Sequence, residues 1–342
     1  MDNFPTYPLA ELHAHISAST SPATYWQIAH DQGIKLPRKD YFDFVDYISL
    51  SQNKKMTLEA YLKKIMHPIL DKLGSGTYAL ERSMYEIMSS AYRRNNITLI
   101  EIRNNPMRHN NNGEHDLDLI ILAMIRGMER ALLEYPKLSA GIIFCLAREF
   151  PFEKNAIIIE KAIKYHKRGI VGIDFSGGTN HKSFQLKEYK ELIQKARRAG
   201  LKITTHSGEH IKDDFDNDMW EALEFLQPQR IGHGIRAAYD PDLMKELVKQ
   251  NTVLEVCPVS NLMTKAIENK DELKFILKTF LENRVRFTIN SDWPEMLEGG
   301  RLRDQYKMLR DEKVLTADEL LECTRTAFAS AFAPKGGLDA YL

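Results

Sequence analysis

The sequence predicts an α/β protein: a (β/α)8 barrel of the TIM type with a helical insertion after its first strand. Three observations carry this. Eight short runs rich in Val, Ile and Leu recur along the 342 residues, each the length of a strand buried on both faces. Amphipathic helical patterns separate them. No Gly-rich phosphate loop of the G-x-G-x-x-G kind is present, which disfavours the doubly wound open sheet that the same alternation can build.

The strand runs are LAELHAH (9–15), ITLIEIRN (97–104), SAGIIFCLA (139–147), GIVGIDFS (169–176), LKITTHS (201–207), QRIGHG (229–234), NTVLEVCPVS (251–260) and RVRFTINSD (284–292). Helical patterns lie between them in LDLIILAMIRGMERALLEY, NAIIIEKAIKYHKRG, LKEYKELIQKARRAG and PDLMKELVKQ. Several end in Gly or a basic last turn, as helix C-termini do. Residues from about 17 to 96 exceed what a minimal barrel needs and read as a largely helical insertion. It follows the C-terminal end of a strand, the catalytic face of a barrel, and so reads as a lid on one barrel domain spanning 1–342. Tyr61, Leu62 and Ile65 within it read as helix packing. The polar stretch RHNNNGEHD (108–116) reads as a loop with His109 and His115 in solvent.

Composition narrows the classes. Lys+Arg and Asp+Glu both number 47, a formal net charge of +0, so neither a nucleic-acid patch nor a membrane-surface tail is expected. The 43% hydrophobic and 27% charged residues are ordinary for a soluble globular protein. Three widely spaced cysteines, Cys145, Cys257 and Cys323, read as buried thiols of a reducing compartment. The N-terminal MDNFPTYPLAELHAH shows no secretory signal, and no run approaches the roughly 18–20 apolar residues of a membrane span. A cytoplasmic location is the expectation.

The chemistry concentrates at strand ends. His13 and His15, one residue apart on a strand, point to the same face. The fifth strand ends in THSGEH with His206 and Glu209, the sixth in RIGHG with His233, and the eighth in TINSDWP with Asp292. Three imidazoles and a carboxylate suit Zn2+, so His13, His15, His206 and Asp292 read as ligands of one ion that lowers the pKa of bound water. His233 and Glu209 are then free for chemistry, His233 to orient the attacking oxygen and Glu209 to protonate a ring nitrogen. That pairing suits deamination of an aminated heterocycle; amide or ester hydrolysis would need protonation of a leaving group instead. HIKDDFDNDMWEAL carries Asp213, Asp214, Asp216 and Asp218, read as a solvated loop before a helix and not as a second cation site.

With ELHAH, EIRNNP, GIDFSGG, HSGE, RIGHG, EVCPVSN and NSDWP in this order, the chain resembles the adenosine deaminase family from about residue 9 to 335. The resemblance implies a zinc-dependent barrel hydrolase that releases ammonia from a 6-aminopurine, adenosine to inosine in the family's main reaction. It puts the zinc ligands at His13, His15, His206 and Asp292, the N1 proton donor at Glu209 and the hydroxide-orienting residue at His233. It also implies that the Gly177 backbone N–H meets purine N3. Two departures fall on substrate-reading positions. The family's Ser-Asp-Asp-Pro or Thr-Asp-Asp-Pro has Trp293 in place of the second Asp, which binds purine N7. The Asp that holds the ribose 5′-hydroxyl is replaced at Ser17-Ala18. An indole only donates a hydrogen bond, and Ser binds a hydroxyl more weakly than a carboxylate. The alternatives are therefore adenine, a modified adenosine nucleotide, a pterin- or guanine-type heterocycle, or a barrel metal hydrolase acting on another bond.

Overall fold

The computed structural model describes residues 4–110, 113–177, 185–209 and 218–341. Eight parallel strands follow one another in chain order: β1 (Leu9–His15), β2 (Ile97–Asn104), β3 (Ser139–Ala147), β4 (Ile170–Ser176), β5 (Lys202–Ser207), β6 (Arg230–His233), β7 (Val253–Val256) and β8 (Phe287–Ile289). The sheet closes just beyond β8. There Asp292 N donates to His13 O at 2.7 Å and His15 N to Asp292 O at 3.1 Å. This is the (β/α)8 barrel the alternation predicts, and closure leaves no open edge to expose.

The strands hold because they are covered on both faces. All nine residues of β3 are buried, as a run without polar alternation requires. Two runs are shorter as strands than their apolar stretch. β7 stops at Val256 because Pro258 has no N–H for a ladder and instead opens helix Pro258–Met263 at its first turn. β8 stops at Ile289, after which Asp292 takes φ 59°, a left-handed conformation that turns the chain.

The segment between β1 and β2 carries helices Pro22–Asp31 and Tyr41–Ile48, then a continuous helical stretch from Leu58 to Leu73. Ser21 and Asp40 cap the first two by accepting from Thr24 N and from Phe42 N and Asp43 N. The middle of the third, Leu62–Leu70, is π-helical and contains Pro68. A proline lacks the amide for the usual ladder, and a widened turn accommodates it. These helices build an apolar cluster of their own, with Tyr25, Phe44, Tyr61 and Leu70 packed on Trp293, Met296 and Leu297 from the loop after β8. Helix Thr77–Asn95 instead places Leu80, Met84 and Met88 in the main core, against helix Leu117–Glu134.

His109 is not in solvent. It is buried, its carbonyl accepts from Gly76 N at 3.0 Å, and its ring packs beside Gly74. The loop folds back onto the turn before helix Thr77–Asn95, which local polarity did not reveal. His115 is exposed as expected. Cys145, Cys257 and Cys323 are free and buried. No helix among the described residues is long and apolar enough to cross a membrane.

Candidate active site

The barrel brings the strand-end residues together. His13 and His15 lie on β1, His206 on β5, and His233 ends β6. The Nε2 atoms of His13 and His206 are 3.1 Å apart, and those of His15 and His206 are 3.0 Å apart. Asp292 Oδ1 lies 3.7 Å from His13 Nε2 and 3.4 Å from His15 Nε2. Gly232 makes the close approach possible, since a Cβ there would stand 2.7 Å from His13 Cε1.

The hydrogen bonds around the rings decide what this cluster can hold. His13 Nδ1 lies 2.7 Å from Glu255 Oε2, and His206 Nδ1 lies 3.1 Å from Asp174 Oδ1. A carboxylate only accepts, so each Nδ1 carries the proton and each Nε2 presents a lone pair. Two lone pairs at 3.1 Å repel unless a cation sits between them. Burial holds His13, His15 and His233 well below the ordinary imidazole range, with neighbouring imidazoles adding to the shift, so a proton is a poor candidate. Asp292 Oδ1 is buried without a hydrogen-bond partner, while its Oδ2 accepts from Ser260 Oγ at 2.6 Å. An orphaned carboxylate oxygen facing unprotonated imidazoles fits a cation with nitrogen and oxygen ligands. Donors about 2.0–2.2 Å from one tetrahedral ion lie close to the separations found here.

Glu209 and His233 stand beside this cluster, with His233 Nε2 3.4 Å from Glu209 Oε2. Burial, and then the Asp292 carboxylate, push the Glu209 carboxyl up to about 8; Arg148 opposes this. Burial thus favours the acid form of Glu209. The Asn261 amide lies 3.0 Å from His233 Nδ1 and fixes the ring plane. Two side chains of this group sit on strained backbone, His233 at φ 61° and Asp292 at φ 59°. Such non-glycine positions cost about 1–3 kcal/mol each and cluster at functional sites.

The three substrate-reading positions fare differently. Gly177 takes φ 97°, and its carbonyl accepts from Arg148 Nη1 at 2.8 Å. Ser17 Oγ donates at 2.7 Å to Asp71 Oδ1, a buried carboxylate from the helical segment. Asp71 Oδ2 in turn meets His67 Nδ1 at 2.8 Å. Trp293 is 3% exposed and stacks on Tyr61 with ring centroids 4.7 Å apart. Asp213, Asp214 and Asp216 lie outside the described residues, while Asp218 Oδ2 accepts from Gly208 N at 3.0 Å. Sequence reasoning missed Glu255, Asp174, Ser260, Asn261 and Asp71. The first four had a signal: polar residues inside or just after the apolar runs GIDFS and NTVLEVCPVS. Asp71 had none.

Fold and cluster together define the class: a (β/α)8 barrel protein with a three-imidazole, one-carboxylate metal-type centre at the C-terminal ends of its strands. Comparison with known proteins narrows this. Residues 8–340 match the family described as Adenosine deaminase. An adenosine deaminase of Shewanella denitrificans is 29% identical over 327 residues, 95% of this chain and 94% of that protein. The adenine deaminase of Arthrobacter aurescens superposes with a TM-score of 0.81 at 22% identity, covering 98% of both chains. An N6-mAMP deaminase of Arabidopsis superposes with a TM-score of 0.77 at 22% identity, covering 96% of this chain and 94% of that one. The chain belongs to the adenosine deaminase family.

Proposed function

We propose that this protein is a zinc-dependent hydrolytic deaminase of a 6-aminopurine nucleoside or a closely related compound. The observation that carries the reading is the orphaned Oδ1 of Asp292 facing the unprotonated Nε2 atoms of His13 and His15, with His206 Nε2 within 3.1 Å of both imidazoles. His13, His15, His206 and Asp292 would hold one Zn2+ per chain, and the ion, when bound, makes water acidic enough to be a nucleophile at neutral pH. Glu209, which burial biases toward its acid form, delivers a proton to N1 of the ring as water adds to C6. His233, uncharged and fixed by Asn261, orients that water and holds charge during the attack. The C6–N6 bond then breaks, water supplies the oxygen of the 6-oxo product, and the amino group leaves as ammonia. Gly177 meets purine N3 through its backbone N–H.

Specificity is the second part of the proposal. Ser17 Oγ, its proton donated to Asp71, offers a sugar hydroxyl an acceptor backed by a carboxylate from a different element than the family's usual Asp. Trp293 is engaged with Tyr61 and brings an indole, with no carboxyl, to the position where the family's Asp binds N7. This favours a 6-aminopurine compound other than plain adenosine as a second reading, in keeping with the adenine and N6-mAMP deaminases among its structural neighbours. The test is ammonia release from adenosine, deoxyadenosine, adenine, 6-substituted and nucleotide forms, guanine and a pterin, using zinc-loaded protein. Turnover of a 6-aminopurine is the expected result. A zinc-loaded protein that deaminates none of these compounds overturns the proposal.

A further inference from the structure

We infer that Arg103 is a positioning residue for the metal centre, tying the carboxylate that orients His13 to the carboxylate that orients His206. The inference rests on the proposed roles of those two histidines as ligands. Arg103 lies on β2, is fully buried, and divides its guanidinium between two other strands. Nη1 donates to Asp174 Oδ2 on β4 at 2.7 Å, and Nη2 donates to Glu255 Oε2 on β7. Glu255 Oε2 also meets His13 Nδ1 at 2.7 Å, and Asp174 accepts from His206 Nδ1 through its other oxygen, Oδ1, at 3.1 Å. One cation thus fixes the spacing of both second partners, and through them the direction of two Nε2 lone pairs.

Stability alone does not account for the arrangement. Buried ion pairs seldom add net stability over an apolar replacement. Arg103 Nε is left buried without a partner, a cost that a fork closed on one carboxylate would avoid. The network continues away from the site. Arg230 Nε donates to Glu255 Oε1 at 2.6 Å and Nη2 to Glu101 Oε2 at 2.5 Å. Asp174, Glu255 and Glu101 outnumber Arg103 and Arg230 by one, leaving negative charge that suits a cation at the imidazoles.

The test is zinc affinity by chelator competition, with Co2+ visible absorption as a report on ligand geometry. Arg103→Met is expected to weaken zinc binding about 10–100-fold and shift the Co2+ bands at saturation, with Arg103→Lys falling between it and the wild type. A merely structural arginine would lower the Tm and leave affinity and bands as they are; that result overturns the inference. If Arg103→Met does not fold, Glu255→Gln, Asp174→Asn and the double variant decide. The double loss in affinity should differ from the product of the single losses by more than about threefold, the coupling that contacting residues show. Agreement within threefold overturns the inference. Wild-type protein that takes up no zinc overturns the metal reading and this inference with it, whereas zinc-binding wild type with unaffected variants overturns only the latter.

Discussion

At the scale of single residues, burial sets the chemistry. Glu209 is an ordinary glutamate in the sequence, but its carboxyl is pushed up to about 8 by desolvation and then by Asp292. Because the working form is the acid, activity is present below that value and lost above it. The expected pH profile of kcat/KM has an alkaline limb at or below about 8, since a cation offsetting Asp292 can only lower the Glu209 value. Glu209→Gln keeps the shape but has no acidic proton. It should retain bound metal and lose about 10²–10⁴-fold in kcat, measured by ammonia release; near-normal turnover would remove Glu209 from the role. Trp293 is a different case. It is a packing residue in place, stacked on Tyr61 in an apolar cluster. Trp293→Asp would leave a cavity and bury a carboxylate in it, at a cost of at least about 3–5 kcal/mol. Trp293→Phe is the milder probe of substrate choice, read as a change in the kcat/KM ratio between adenosine and the best substrate.

At the scale of elements, the helices between β1 and β2 are joined to the barrel mouth in two ways. Leu50 N donates to Met296 O at 2.8 Å, and Glu298 N to Leu50 O at 2.9 Å. The apolar cluster around Tyr61 and Trp293 is separate from the main core. Such a satellite cluster opens at lower free energy than the strands it covers. Tyr61→Ala removes the ring under Trp293 and the bond from Tyr61 Oη to Ile48 O. Hydrogen exchange should then accelerate in residues 41–73 and 293–298 while β2 and β3 stay protected. Uniform acceleration across the barrel would show instead that the two clusters unfold as one.

For the whole molecule, the proposed metal ligands come from β1, from β5 and from just beyond β8, and closure of the barrel is what assembles them. Asp292 donates to His13 O and accepts from His15 N across the closing seam. A bound ion that grips both sides of this seam binds the folded state alone, so it stabilises by mass action, about 2.7 kcal/mol at a free concentration 100 times its Kd. Removing metal with a chelator should lower the Tm, and zinc should restore it together with activity. A Tm that does not respond to chelation or reloading would mean that the cluster is satisfied without an ion.

Sequence alone determined the barrel, because apolar runs with helices between them can bury both faces in few other ways, and the structure has all eight runs as strands. It also picked out the imidazoles and carboxylates, because polar residues ending apolar strands are costly unless something uses them. Tertiary structure alone decided what surrounds them. Glu255, Asp174 and Arg103 lie on β7, β4 and β2, and nothing local says that three buried charges on separate strands meet. Asp71 reaches Ser17 across 54 residues, through a helical stretch that reads only as amphipathic. His109 leaves solvent because its loop packs back onto the turn before helix Thr77–Asn95, where its carbonyl accepts from Gly76 N. The physical reason is common to all of these. Periodicity records which side of an element faces the core, but a hydrogen bond between distant elements depends on register and closure, which only the folded chain fixes.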